Sequence, residues 1–221
     1  ATGDKYNDDN DATSTGNNEG FLPIGNVSTN FTGEYDGGGY SISGLTIKRT
    51  TTDDSGKYIG LFGYTKGATI RNLGVTNDNI TGNEWVGSLV GFSTSSTIID
   101  NCSASGIVVS TYIAGGLVGY SYDNTSIRNS YSKASVNGGS RNYVGGLAGF
   151  AYFSTILNSY STGSVVASST NRGGLIGAKY ISSLYSTTIT DSFYDKATSG
   201  QSDSGKGTGK TTAQMKTKAT F

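Results

Sequence analysis

Few side chains in this sequence have chemical reach. Histidine is absent, which removes imidazole as a metal ligand, general base or triad member. The one cysteine, Cys102, supports neither a disulfide framework nor a thiolate cluster and reads as a small buried ladder residue. Near the N-terminus, Asp8, Asp9 and Asp11 form an acidic run that could hold Ca²⁺. The glycine and the terminal glutamate of an EF-hand loop are missing, however, and a solvated linker is the plainer reading. Between residues 60 and 190 the carboxylates are Asp78, Glu84, Asp100 and Asp123. They fall at different points of successive sequence copies, so they do not form the pair, about 5–10 Å apart, that glycosidic cleavage requires. Tyr122, Tyr152 and Tyr180 differ in this respect, because they recur at one point of successive copies. Three such rings in line could stack on sugars or receive a protein surface, with their hydroxyls left to hydrogen-bond.

The elements that would hold that line follow from the repeat. Gly-x-Leu-x-Gly is centred on Leu61, Leu89, Leu117, Leu147 and Leu175, at steps of 28, 28, 30 and 28 residues. A second motif keeps pace: "TIRNL", "IIDNC", "SIRNS", "TILNS" and, more weakly, "TITDS". Each apolar run is five to seven residues long, the length of a strand. One copy cannot bury its own apolar face, whereas stacked copies share a core. The expected fold is all-β, a single-stranded parallel β-helix of about six coils with roughly 28 residues each. Tyr64, Phe92, Tyr120 and Phe150 then form an aromatic column, and Ile70, Ile99, Ile127 and Ile156 an apolar ladder. Asn72, Asn101, Asn129 and Asn158 lie two residues after the isoleucines, and the period of a strand places them on the same inward face. Arg71, Asp100, Arg128 and Leu157 point outward between them. The glycines at 63, 91, 119, 149 and 177 are expected at a corner, where positive φ or close backbone approach is needed. Which of Leu89 and Val90, and their equivalents, faces inward stays open.

Composition agrees with this. Gly (34), Ser (31) and Thr (29) dominate, Pro and Trp occur once each, and the net charge is zero. No broad basic field for nucleic acid exists, and no apolar run approaches the ~20 residues of a membrane span. Residues 1–20 read as a polar linker or loose cap, 21–57 as an atypical first coil, 58–195 as the repeats, and 196–221 as a C-terminal cap or linker with a short helix in "TTAQMKTKATF". "YISSLYS" reads as a loop inserted into the last coil, and Asp36-Gly37-Gly38-Gly39 as a turn joining two strands.

The segments "GGLVGY…SIRNSYS" and "GGLAGF…ILNSYSTGSV" resemble the GLUG repeat of microbial surface proteins, which also occurs outside the catalytic region of immunoglobulin-A-cleaving metallopeptidases. The resemblance covers roughly residues 21–215. It implies a non-catalytic extracellular or cell-surface module, an adhesin or stalk segment; the tyrosine row is what points to a carbohydrate or a surface protein as its partner. No His-Glu-x-x-His motif is present, so the metallopeptidase chemistry does not carry over. The alternatives are a self-associating filament or surface-layer subunit and, more remotely, an ice-binding or polysaccharide-processing β-helix. Thr65 is matched by Ser93, Ser121 and Ala151, which leaves no threonine column for ice.

Overall fold

A computed structural model describes residues 19–139, 143–182, 184–204 and 206–218. Strand accounts for 52% of it and helix for 6%, wound as a β-solenoid of about five turns with ~29 residues per turn. Every pairing between the named strands is parallel and joins one coil to the next. The coil has four faces. The first is a short strand before the leucine, as in Glu84–Gly87 and Ile113–Gly115; the second follows it, as in Val90–Thr94 and Val118–Ser121. The third carries the isoleucines (Ile98–Asp100, Ser126–Arg128), and the fourth is the longest, as in Gly74–Gly82 and Ser103–Ser110. The first and second faces have five strands each and the third has six. The first coil therefore completes only part of the cross-section, which leaves about five turns where six are expected from the sequence.

Between the first and second faces the chain doubles back at the leucine, and here the glycines find their reason. A Cβ on Gly115 would collide with the Val118 carbonyl and with the Gly149 amide of the next coil. A Cβ on Gly119 would strike the backbone of Trp85 and Val86 on the preceding coil. The two faces thus meet backbone to backbone, and only hydrogen fits between them. Neither residue has a positive φ, so of the two reasons for glycine at this bend it is close backbone approach that applies.

Both apolar columns at the arch turn inward. Leu89, Leu117, Leu147 and Leu175 are fully buried, as are Val90, Val118, Ala148 and Ile176. Backbone bonds run from Leu89 N to Leu117 O, from Leu117 N to Leu147 O and from Leu147 N to Leu175 O. On the third face Ile70, Ile99, Ile127 and Ile156 pair in register and are fully buried. Each such side chain contributes about 1.5–3 kcal/mol by leaving water.

The asparagine column stacks, but outside the core. Asn72, Asn101, Asn129 and Asn158 have φ of 54°, 52°, 51° and 49°, and the last three are exposed. The third-face strand ends one residue earlier, at Arg71, Asp100, Arg128 and Leu157, so the two-residue alternation stops before it reaches them. Asparagine tolerates the left-handed region better than most residues, and it marks this corner. Asn101 Nδ2 donates to Asn72 Oδ1 (2.8 Å) and Asn158 Nδ2 to Asn129 Oδ1 (3.2 Å), while Asn129 Nδ2 reaches Asp100 Oδ1 (2.8 Å). The inward polar ladder belongs to the next residue. Ser130 Oγ accepts from Cys102 N, Ser159 Oγ from Ser130 N, and Ser192 Oγ from Ser159 N. Cys102 occupies the same column, buried, and burial pushes its thiol up to about 11.

The outward charges pair selectively. Arg128 Nη2 lies 3.0 Å from Asp100 Oδ2, whereas Arg71 turns to Glu34 (2.5 Å) and Asp36 (2.9 Å) of the first coil. The Gly38 N–H, Asn72 and Arg71 together hold Asp36 down to about 2. The turn after Asp36 joins strands on different faces, Glu34–Asp36 on the third and Ser41–Ser43 on the fourth, so it is a corner and not a hairpin. At the far end, Tyr194 fills the core beside Gly174 and donates to Asp203 O at 2.6 Å. Helix α1 (Lys196–Ser199) is N-capped by Asp195, and α2 (Thr212–Met215) is closed by a Thr211/Gln214 capping box. In the last coil Ile181 and Ser186 of the inserted segment pair as an antiparallel bridge.

Candidate functional site

The second face ends in the tyrosine row. Ser93, Ser121 and Ala151 point inward and are buried, and the hydroxyls of the two serines donate to Tyr120 O and Phe150 O of the following coil. Alternation therefore sends the residues on either side of them outward. On the near side stand the half-buried rings of Tyr64, Phe92, Tyr120 and Phe150; on the far side stand Tyr122 and Tyr152, with Tyr180 continuing the row. Val118 and Tyr120 are two residues apart, yet one is buried and the other half-exposed. The strand thus changes direction where Gly119 meets the first face.

The structure brings the three tyrosines together. The rings of Tyr122 and Tyr152 stack at 4.9 Å and 28°, and those of Tyr152 and Tyr180 at 4.5 Å and 30°. Tyr122 is 37% exposed and Tyr180 40%. Because the rings lie face to face, they show solvent their edges and hydroxyls. The row presents a comb of donors at coil spacing more than a set of open platforms. Partial desolvation, then the neighbouring Tyr180 and Tyr122, raise the Tyr152 hydroxyl above its ordinary value. Burial raises Tyr120 further. Both therefore remain protonated donors at physiological pH.

The row is one border of a wider aromatic flank. Phe92 stacks on Tyr122 (6.2 Å) and meets Tyr64 (4.8 Å), Tyr120 (5.2 Å) and Trp85 (5.7 Å). Tyr58 packs on Trp85 at 4.7 Å, and Tyr143 on Phe150 at 4.7 Å. Tyr58 and Trp85 hold φ of 56° and 49° within or beside first-face strands. That conformation is uncommon for bulky side chains, and these two pack over the second-face column. Sequence reasoning missed them, because Tyr58 stands three residues before Leu61 and Trp85 four before Leu89, so the two do not fall at one spacing from the repeated leucine. Beyond Tyr180 the inserted loop adds Ile181 and Leu184, 66% and 80% exposed, and Tyr185 meets Phe153 edge-on at 5.2 Å.

The acids are dispersed. Asp78 is buried under the fourth face, Glu84 lies on the first face, Asp100 pairs with Arg128 on the third, and Asp123 sits in a turn with φ of 48°. Asp53 caps a short 3₁₀ turn, bound by Thr51 and Ser55. No group of three or more metal-ligating side chains occurs among the described residues. Asp8, Asp9 and Asp11 lie outside those residues.

A family model described as the GLUG motif matches residues 110–137 and 140–166. Over 102 residues, 44% of the chain, the sequence is 44% identical to a protein of Evansella cellulosilytica named a Gly-rich membrane protein. Over 110 residues it is 39% identical to halomucin of Haloquadratum walsbyi. The chain spans 11% of the first relative and 1% of the second. In fold it resembles the crystal structure of a protein named as an immunoglobulin A1 protease from Bacteroides ovatus. The TM-score is 0.60 at 24% identity, over 73% of this chain and 51% of that one. No described helix is long and apolar enough to cross a membrane. The backbone-to-backbone glycine arch and the stacked leucines at Leu117 and Leu147 lie within the two matched segments, so those two coils carry the GLUG motif.

Proposed function

We propose that the chain is a non-catalytic segment of a larger microbial surface protein, a rigid spacer that presents its aromatic flank to a carbohydrate or to another surface protein. The observation that carries this reading is the continuous stack of Tyr122, Tyr152 and Tyr180, solvent-facing and backed by the Phe92–Tyr120–Phe150 column. A buried column needs no such exposure, and rings with hydroxyls at coil spacing match a ligand that offers apolar edges and hydrogen-bonding groups in alternation. The names of its relatives, a membrane protein and a mucin, support a surface setting. Five turns at about 4.8 Å each give a spacer of roughly 24 Å.

The test is a glycan and matrix-protein array probed with the chain and with its Tyr122→Ser/Tyr152→Ser/Tyr180→Ser variant. The reading expects hits on the array that the triple variant loses while its melting temperature stays close to wild type. Hits of equal strength for both proteins would refute the flank as the binding face.

A further inference from the structure

The fourth face carries a second aromatic row that the sequence motifs did not flag. Tyr131 and Tyr160 pair in register, and their rings stack 5.0 Å apart at 5°. Phe193 follows Tyr160 on the next coil. A lysine lies over each end of the row: Lys133 Nζ is 5.4 Å from the Tyr131 ring centre and Lys210 Nζ 5.2 Å from that of Phe193. Their strands are three coil steps apart, about 14 Å at the usual strand spacing.

Beside the row, α2 leans over the fourth face and leaves an open groove of about 570 Å³, lined by Lys133, Tyr160, Thr162, Met215 and Lys216. Lys133 and Lys216 are exposed. The carboxylate at this groove, Asp195, is buried and turned into the fold. Its Oδ1 accepts from Ala197 N at 2.9 Å and from Thr212 Oγ1 at 3.0 Å. The mouth of the groove is therefore cationic on a chain of zero net charge.

We propose that this groove binds an acidic polysaccharide, a uronate-bearing chain, with its carboxylates on Lys133 and Lys216 and its CH faces against Tyr160 and Met215. Tyr131 covers one face of Tyr160, and the Tyr131 and Phe193 rings carry Lys133 and Lys210 over them. The groove offers ammonium groups, hydroxyls and an apolar floor, the complement of a polymer that alternates carboxylates, hydroxyls and CH faces. This site is independent of the tyrosine flank.

The experiment titrates the full chain with an oligogalacturonate and with a neutral cello-oligosaccharide of equal length, by calorimetry at low salt and at about 0.5 M salt. Wild type is expected to bind the uronate oligomer, to weaken with salt, and to ignore the neutral one. Lys133→Gln/Lys216→Gln is expected to weaken uronate binding about tenfold without moving the melting temperature, since both side chains are exposed. Lys48→Gln, at an exposed lysine of the fourth face outside the groove, is expected to bind it as wild type does. Absence of uronate binding by wild type would overturn the proposal, as would equal affinity in the lysine variant. So would equal displacement by polyglutamate or single-stranded DNA, which would make the groove a general polyanion site.

Discussion

Asp78 should make this solenoid less stable as the pH rises from about 4 to about 7. A register shift on the fourth face pairs Ser105 with Thr76 but Gly106 with Asp78, which leaves Asn77 (φ 52°) as the extra residue of a bulge. The carboxyl of Asp78 is buried as a result. The Ser88 hydroxyl and the Ile107 N–H lie beside it and partly offset the burial, yet neither oxygen closes a well-formed hydrogen bond. Burial raises the group from 3.8 to about 7. The unfolded chain releases this proton near pH 4 and the folded chain holds it to about 7. Stability from this group is therefore full below about pH 4, falls by about 1.4 kcal/mol per pH unit up to about 7, and is flat above. The difference of about three pH units makes the penalty about 4 kcal/mol, an order-of-magnitude figure. Asp78→Asn keeps the shape and removes the charge. Urea denaturation of wild type and variant at pH 4.5, 6 and 8 should show near-equal stability at the lowest pH and a variant advantage of several kcal/mol at the highest. Parallel curves for the two proteins across that range would refute the reasoning.

Three further substitutions probe the coil. Gly115→Ala should cost about 1–3 kcal/mol or break the arch, because the added methyl meets the Val118 and Gly149 backbones; thermal melting reads it. Ile127→Ala should cost about 2–5 kcal/mol by emptying the middle of the isoleucine ladder, measured by denaturant unfolding. Asn129→Ala should be worse than Asn129→Gly by about 1 kcal/mol, since both lose the bond to Asp100 but only glycine accepts a φ of 51° without strain; equal losses would place the whole effect in the side chain.

The coil itself was legible because periodic letters report stacked positions: Leu117 over Leu147, and Ile127 over Ile156, needed only the spacing of two motifs. The asparagines were placed on the wrong side because alternation was extended past the end of a three-residue strand, where the backbone turns left-handed. The same letters also carry a turn signal, and Asn is one of the few residues that supplies it. The glycines were legible as bend residues, but a sequence does not distinguish positive φ from close approach; the partner backbone that excludes a Cβ at Gly119 is on another coil. The tyrosine row was visible as a recurrence, but its face-to-face stacking was not, since side-chain orientation depends on where Gly119 redirects the strand. Tyr131 and Tyr160 were hidden in the polar "NSYS" text, where only the repeated Tyr-Ser pair hinted at a column, and Phe193 in "DSFYD", where that pair is absent.

Disulfide trapping across one coil boundary tests the stacked-register claim most directly. In a Cys102→Ser background, Ser126→Cys and Thr155→Cys stand opposite one another on adjacent third-face strands, about 4.8 Å apart and within reach of a bridge. Pairing Ser126→Cys with Leu157→Cys instead moves the partner two residues along, to about 8 Å and beyond that reach. Mild oxidation should close the first pair nearly completely and leave the second as free thiols. Equal closure of both pairs, or closure of the second alone, would contradict a solenoid in which matching positions of successive repeats lie directly over one another.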